Sequence, residues 1–592
     1  MIKKLTNFKE FNSFKEDLQG QYLIEASAGT GKTFNIIIIY LRMLLGLHQK
    51  KINTKPLNID QILVVTFTDI ATQNLYKKIK NSIYLLRIGC IQRISKYNVI
   101  NNLIKEIKDY KNANILLLKA ENNINNASIY TIHSFCQKIL NLKNYEIYDL
   151  LLNKKIISDE LILQRKASII FWRTYLYDLP KEIIKIILLY WKNPDDLLKS
   201  LLPFLSQQKL PVIKYPFKNK NICVQFYKNK KYIQNIKKYW IKYKDKIINI
   251  INNSNVNKHI YNKKFIKNWI NIINKWSLLE TKDNFLPKEL FRFSQKILIN
   301  NTINQINSPK YVLFQYIDFF INKIINLKYL IIIKAIKYIK KFVLQKKKNN
   351  NEISFNDLLN ILNKSLNTKF SLQIIKDIRK LFPVVLIDEF QDTDIQQYNI
   401  LKKIYFNQKN NLMILIGDPK QAIYSFRGAD IFTYLKASSE IKKHYTLTYN
   451  WRSSSTMING INKLFSNRTY PFLFKNIVFN PIKYKPKKLN DYFIINNKIK
   501  PGITFWFINK TMDINSYRKK ISYICAYEIC QLIILGKKGK AFFQKNNKKK
   551  NINISDITVI VRNRFEAIIL QKEFIKFNLP FIYLSNSNHV FE

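Results

Sequence analysis

Residues 22–33 read Tyr-Leu-Ile-Glu-Ala-Ser-Ala-Gly-Thr-Gly-Lys-Thr, and a long apolar stretch follows them. The apolar run is a buried strand, the small residues form a tight loop, and Lys32-Thr33 opens a helix. Such a corner aims backbone N–H groups and a helix N-terminus at one point, where a polyphosphate is stabilised. The spacing is that of G-x-x-x-x-G-K-[ST], with the small residue Ala26 at the first glycine position. Ala26, Ser27, Ala28, Gly29, Thr30 and Gly31 would cradle the phosphates. Lys32 would reach the β- and γ-phosphates, and the Thr33 hydroxyl would ligate Mg²⁺. An ordinary strand–turn–helix corner is the alternative at this stage.

The chemistry of phosphate transfer requires acids at a neighbouring strand end. Pro383-Val-Val-Leu-Ile-Asp388-Glu389 supplies an apolar strand ending in two of them. Asp388 can hold the metal, and Glu389 can orient and deprotonate an attacking water. A further strand, Leu412 to Ile416, runs into Gly417-Asp-Pro-Lys-Gln421-Ala-Ile-Tyr424-Ser-Phe426-Arg427-Gly-Ala429. There the Gln421 amide can sense a γ-phosphate while neighbouring aromatics touch bases. In Asn450-Trp451-Arg452, Arg452 can stabilise charge on a transferring phosphate and Trp451 can stack on adenine. Gln19, just upstream of the loop, can read an adenine edge with its donor–acceptor amide. Gln61 to Thr68 is another β-branched strand, presenting Thr66, Phe67 and Thr68 at its C-terminal end, where ligands gather in open α/β sheets. Phe67 could stack on a base. Ser128 to Cys136 is read as a strand end presenting Thr131, His133 and Ser134. His133 has no partner at metal-ligand spacing, which leaves it a hydrogen-bonding role at a nucleotide or DNA groove.

From about residue 145 to 380 the texture changes to long Lys/Ile/Asn stretches with helical periodicity and no catalytic constellation. We expect a helical, basic insertion. Beyond residue 447, Ile503–Phe507 and Ile557–Val561 read as strands, and Lys537 to Asn553 as a Lys/Asn-rich loop. The net charge of +60, from 99 basic and 39 acidic residues, points to a polyanion and first to nucleic acid, although an AT-rich coding sequence would also enrich lysine. Five scattered cysteines without a C-x-x-C pair suit neither a disulfide framework nor a zinc site, so a reducing cytoplasm is expected. Neither a signal peptide nor a membrane span is expected.

Taken in order, Ala-Ser-Ala-Gly-Thr-Gly-Lys-Thr, Val-Thr-Phe-Thr, Thr-Ile-His-Ser-Phe-Cys, Leu-Ile-Asp-Glu-Phe-Gln-Asp-Thr-Asp, Gly-Asp-Pro-Lys-Gln-Ala-Ile-Tyr-Ser-Phe-Arg-Gly-Ala and Asn-Trp-Arg-Ser resemble the motifs of superfamily 1 helicases of the UvrD/Rep-like class. Their wording is most similar to the RecB family, the beta subunits of exodeoxyribonuclease V. The resemblance implies a 3′-to-5′ DNA translocase built on two RecA-like domains. ATP and Mg²⁺ would lie in the cleft between these domains, and RecC- and RecD-like subunits would load the motor at duplex ends for recombinational repair. It implies that Gln19 and Trp451 hold adenine, and that Lys32, Thr33, Asp388, Glu389, Gln421 and Arg452 run hydrolysis. It also implies that Phe67, Tyr424, Phe426 and Arg427 lie near single-stranded DNA. The expected organisation is an α/β P-loop domain over 1–145 and 378–447, an inserted helical domain over 146–377, and the start of a second RecA-like domain over 448–592.

The chain departs from the family pattern at Asn74, where Glu is usual, at Lys78 and Lys80, where Arg is usual, and at Asn356, where Asp is usual. Two later helicase elements and the nuclease acids do not occur within the 592 residues. The expectation is therefore an N-terminal portion that binds Mg·ATP and DNA, hydrolyses weakly alone and carries no nuclease activity. A non-catalytic DNA-binding or degraded-gene fragment is the alternative.

Overall fold

The computed structural model describes residues 9–584 except 48–54, 142–153, 158, 206–220, 281–284, 303–307, 369–370, 407, 409–410, 425–428, 486–490, 510 and 546–547. The chain divides into two compact units, residues 1–150 with 358–592, and residues 151–357.

The first unit is an α/β structure around a seven-stranded sheet. Its strands are β1 (Lys9–Glu10), β2 (Gly20–Ala26), β3 (Ile62–Thr66), β4 (Ile129–Thr131), β5 (Val384–Ile387), β6 (Leu412–Gly417) and β7 (Lys443–Leu447). They lie in the order β1-β7-β2-β6-β5-β3-β4, and every neighbouring pair is parallel. A parallel sheet is covered on both faces, so its strands need unbroken apolar runs rather than alternation. Ile62-Leu-Val-Val-Thr66, Val384-Val-Leu-Ile387 and Leu412-Met-Ile-Leu-Ile-Gly417 meet that demand, and every residue in them is buried. Helix α1 (Lys32–Leu44) is buried along nearly its whole length from Asn35 onward. Its Arg42 is tolerated there because the guanidinium donates to the Ser13, Glu16 and Leu47 carbonyls at 2.7, 3.0 and 3.1 Å. Helix α2 (Asp69–Gln92) buries Leu75, Ile79, Ile83 and Leu86, a one-sided stripe at helical spacing. All strands of the sheet point the same way, so the loops after β2, β3, β5, β6 and β7 emerge at one edge.

Three local expectations past β4 need correction. His133 lies in a helix, Ile132–Leu140, which begins as soon as β4 ends and is capped by the Thr131 side chain. Ile503–Phe507 and Ile557–Val561 are not strands: among the described residues neither finds a ladder partner, and Phe507 and Ile560 are 84% and 91% exposed. Their apolar content suits a strand, but a strand exists only by hydrogen bonding to a neighbour. Part of the Lys537–Asn553 stretch, conversely, is a hairpin. Ala541–Lys545 and Lys548–Asn551 pair antiparallel and join Tyr492–Ile495 and Lys498–Ile499 in a four-stranded sheet. Ala541 and Phe542 are buried, which anchors the hairpin, while Lys548 to Asn551 face solvent.

The second unit is helical around two apolar clusters. One centres on Phe171, Ile183, Leu197, Phe226 and Ile339, the other on Trp240, Ile273, Phe293 and Phe314. Several of its buried polar groups are paired with one another. Lys347 donates to Asp357, Glu160 and Ser354 at 2.7, 3.2 and 3.2 Å. Asn229 bridges Gln225 and the backbone of Ile325.

Candidate functional site

The site grows from β2. After Ala26 the chain turns through Gly29 and Gly31, whose φ values of +76° and +95° are left-handed and strained for any other residue. Thr30 closes the loop by donating from its hydroxyl to the Ser27 carbonyl at 2.8 Å. Lys32 and Thr33 are the first two residues of α1, and Asn35 ties the helix start to the loop through the Gly31 carbonyl at 2.9 Å.

From the neighbouring strands, β5 delivers the acids. Asp388 is held by its N–H to the Val65 carbonyl at 2.9 Å, while Glu389 turns into the left-handed region at φ +52°. This conformation costs a non-glycine residue about 1 kcal/mol or more. It brings the Glu389 carboxylate onto Lys32 in a short ion pair. Gln391, 2% exposed, completes a relay. Its amide donates to Glu389 at 2.8 Å, and its carbonyl accepts the Asp418 N–H at 3.0 Å. At the end of β6, the Asp418 carboxylate takes Gln421 Nε2 at 2.7 Å and Lys420 Nζ at 2.8 Å. Lys420 also reaches Glu25 of β2 at 2.6 Å. Burial alone would pull Lys420 down, but Glu25 and Asp418 outweigh it and hold its ammonium above the ordinary lysine range. Asp388 shows the opposite balance. Burial first, and then the negative Glu389, push its carboxyl up to about 6 despite Lys32.

The segment after β7 closes over the loop. Asn450, 6% exposed, donates to the Ala28 carbonyl at 2.9 Å and accepts the N–H groups of Arg452 and Ser453 at 2.8 and 2.9 Å. The Trp451 N–H donates to the Gly29 carbonyl at 2.8 Å. The fit is close: a Cβ on Gly29 would stand 2.9 Å from both Arg452 Cβ and Asn450 Nδ2. Arg452 is thus brought to the loop although it is distant in sequence. Trp451 stands beside the loop and is 58% exposed.

Gln19 is exposed at the start of β2, where its backbone carbonyl takes Lys443 Nζ at 2.9 Å. Phe67 meets Tyr424 with ring centroids 5.3 Å apart, and a small cavity beside Phe67 is lined by Thr66, Ile132, Asp388 and Glu389. Thr66 is 3% exposed and its hydroxyl meets Thr72 at 2.5 Å; Thr68 caps α2 by accepting the Ala71 N–H. His133 is mostly buried, which lowers its pKa against the pull of Asp69. Phe426 and Arg427 lie outside the described residues. Gln391, Lys420, Glu25 and Asn450 were not singled out by sequence. Gln391, Lys420 and Asn450 sit inside the motifs, but what they do depends on partners brought from elsewhere in the chain.

The edge suits a nucleotide with a divalent cation. Two left-handed glycines expose the loop backbone, a lysine stands ready for phosphate, and a buried carboxyl pushed up to about 6 is a group that a divalent cation would ionise. Residues 6–442 match the model of the UvrD/REP helicase N-terminal domain. The chain belongs to the UvrD/REP helicase family. The chain is also similar to curated relatives named RecBCD enzyme subunit RecB. That of Buchnera aphidicola from Acyrthosiphon pisum is 44% identical over 100% of this chain and 50% of the relative. That of Escherichia coli K12 is 37% identical over 97% and 49%, and that of Haemophilus influenzae 32% over 96% and 50%. The chain spans about half the length of the curated relatives it matches. Among the described residues, no helix of this UvrD/REP member is long and apolar enough to cross a membrane.

Proposed function

We propose that this chain binds Mg·ATP and couples its hydrolysis to 3′-to-5′ movement along single-stranded DNA. In this reading it is the helicase subunit of a cytoplasmic RecBCD-type exonuclease V complex that repairs double-strand breaks and serves recombination. The observation that carries the reading is the relay along one sheet edge, from Lys32 through Glu389 and Gln391 to Asp418 and Gln421. Bound Mg²⁺ would ionise Asp388 and polarise the terminal phosphate. Thr33 and Asp388 would hold it. Phosphate entering the loop draws Lys32 away from Glu389, and the released carboxylate accepts a proton from the water whose oxygen bonds to the γ-phosphorus as the bond to the ADP oxygen breaks. Gln421 is held by Asp418 for γ-phosphate sensing, and Arg452 offsets transition-state charge. Gln19 and Trp451 hold the adenine. Phe67 and Tyr424, with Phe426 and Arg427, meet DNA bases; Thr66, Thr68 and His133 support that face. Residues 1–145 and 378–447 form the first RecA-like domain, 146–377 an inserted domain, and 448–592 the start of a second. RecC- and RecD-like subunits and duplex DNA ends are the partners.

The test is nucleotide binding and DNA-stimulated hydrolysis with and without Mg²⁺. Lys32→Ala should lower hydrolysis by about 100-fold or more, because it removes a transition-state contact to the phosphates. Unchanged hydrolysis in that variant would reject the site. Residues 1–592 by themselves should hydrolyse slowly and displace little strand, and robust unwinding by them would overturn that part.

A further inference from the structure

One cation beside the loop is not used by the chemistry above. Lys485 follows the short strand Lys483–Tyr484, which pairs in parallel with Tyr449–Asn450. The register sets Tyr484 against Asn450, so the next residue on each side, Lys485 and Trp451, are neighbours. The Lys485 ammonium lies 4.5 Å from the Trp451 ring centroid and 4.3 Å from that of Tyr449. The Trp451 backbone is fixed to the Gly29 carbonyl, and its Cδ1 stands 3.9 Å from where a Cβ on Gly31 would be. An exposed indole fixed only at its backbone would sample several rotamers, and ordering it would weaken ligand binding. A cation shared between two aromatic faces removes that freedom in advance.

We infer that Lys485 is a positioning residue for base recognition: it clamps Trp451 against Tyr449 so that the indole is already set to receive a purine base. The inference rests on the nucleotide-binding reading and adds to it which part of the ligand the 448–485 segment selects. Lys485 acts through Trp451 on the base and leaves the phosphates to the loop.

The experiment measures affinities of the 592-residue chain, with Mg²⁺, for ATP and for inorganic tripolyphosphate, which has the phosphates but no base. Lys485→Met should weaken ATP by about 3- to 10-fold, the scale of a cation–π contact, and leave tripolyphosphate within about twofold. Retained tripolyphosphate binding also reports that the variant is folded. Lys485→Arg, which keeps a cation over the rings, should restore ATP affinity, and Tyr449→Leu should give a partial loss for ATP alone. The inference is overturned if Lys485→Met leaves ATP affinity unchanged, or if it weakens both ligands alike, which would make Lys485 a phosphate contact. A wild-type chain that binds neither ligand would overturn the nucleotide reading itself, a result distinct from both.

Discussion

Asp388 shows how burial makes a single carboxylate costly to the fold. Its carboxyl is pushed up to about 6 by burial and by Glu389. Between the ordinary carboxylate range and that value the folded protein binds the proton more tightly than the unfolded chain. Stability of the nucleotide-free protein therefore falls as pH rises through this window. Asp388→Asn should remove that contribution and stabilise the nucleotide-free fold at pH 7 by up to about 3 kcal/mol, while abolishing hydrolysis. Denaturant melts at pH 5 and pH 7 check this: the variant's advantage should appear at pH 7 and shrink at pH 5. Asn450 is the converse case. It is buried and bonded to Ala28, Arg452 and Ser453, so Asn450→Ala should cost about 1–3 kcal/mol and loosen Arg452 from the loop. The same melts, with ATP titrations alongside, would show both effects. That Lys32, Asp388 and Arg452 gather around the loop after β2 was legible from sequence because a fixed local pattern carries each of them. Asn450 and Gln391 were not, because their meaning lies in partners supplied by other strands.

At the scale of elements, the loops after β3 and β6 meet through Phe67 and Tyr424. Stacking of a base on an aromatic is worth about 1–3 kcal/mol, so Tyr424→Ala should weaken single-stranded DNA by roughly 5- to 100-fold while leaving ATP affinity in place. Fluorescence anisotropy with a labelled oligonucleotide measures it, and an equal loss for ATP would deny the division of labour. The buried parallel strands were legible as unbroken apolar runs. The Ala541–Asn551 hairpin was not, since its lysine-rich outer strand carries no apolar pattern and depends on Ala541 and Phe542 for its place. Ile503–Phe507 misled in the other direction, because apolar content reports readiness to pair and says nothing of whether a partner exists. Within the second unit, Asp357 takes its charge from context. Burial raises its carboxyl, but Lys347 and Ser354 outweigh burial and leave it below the ordinary range. Its contribution is present above that range and lost as pH falls through the lowered value.

For the whole molecule, the +60 net charge sets the salt response. Log affinity for DNA should fall linearly with log salt, and a chain with about six or more phosphate contacts would lose roughly a thousandfold or more between 50 and 200 mM. A flat response would mean that the charge is spread without a binding stripe. The order of the sheet has a different consequence, for synthesis. Strand β2 is made well before both of its neighbours, β6 and β7, which come from residues 412–447. At about 5–20 residues per second a ribosome needs roughly 20–80 s to deliver them, and the helical unit is made in the interval. The loop after β2 is thus translated long before the strands that wall it. A nascent chain stalled before residue 412 should leave β2 open to chaperones and proteases.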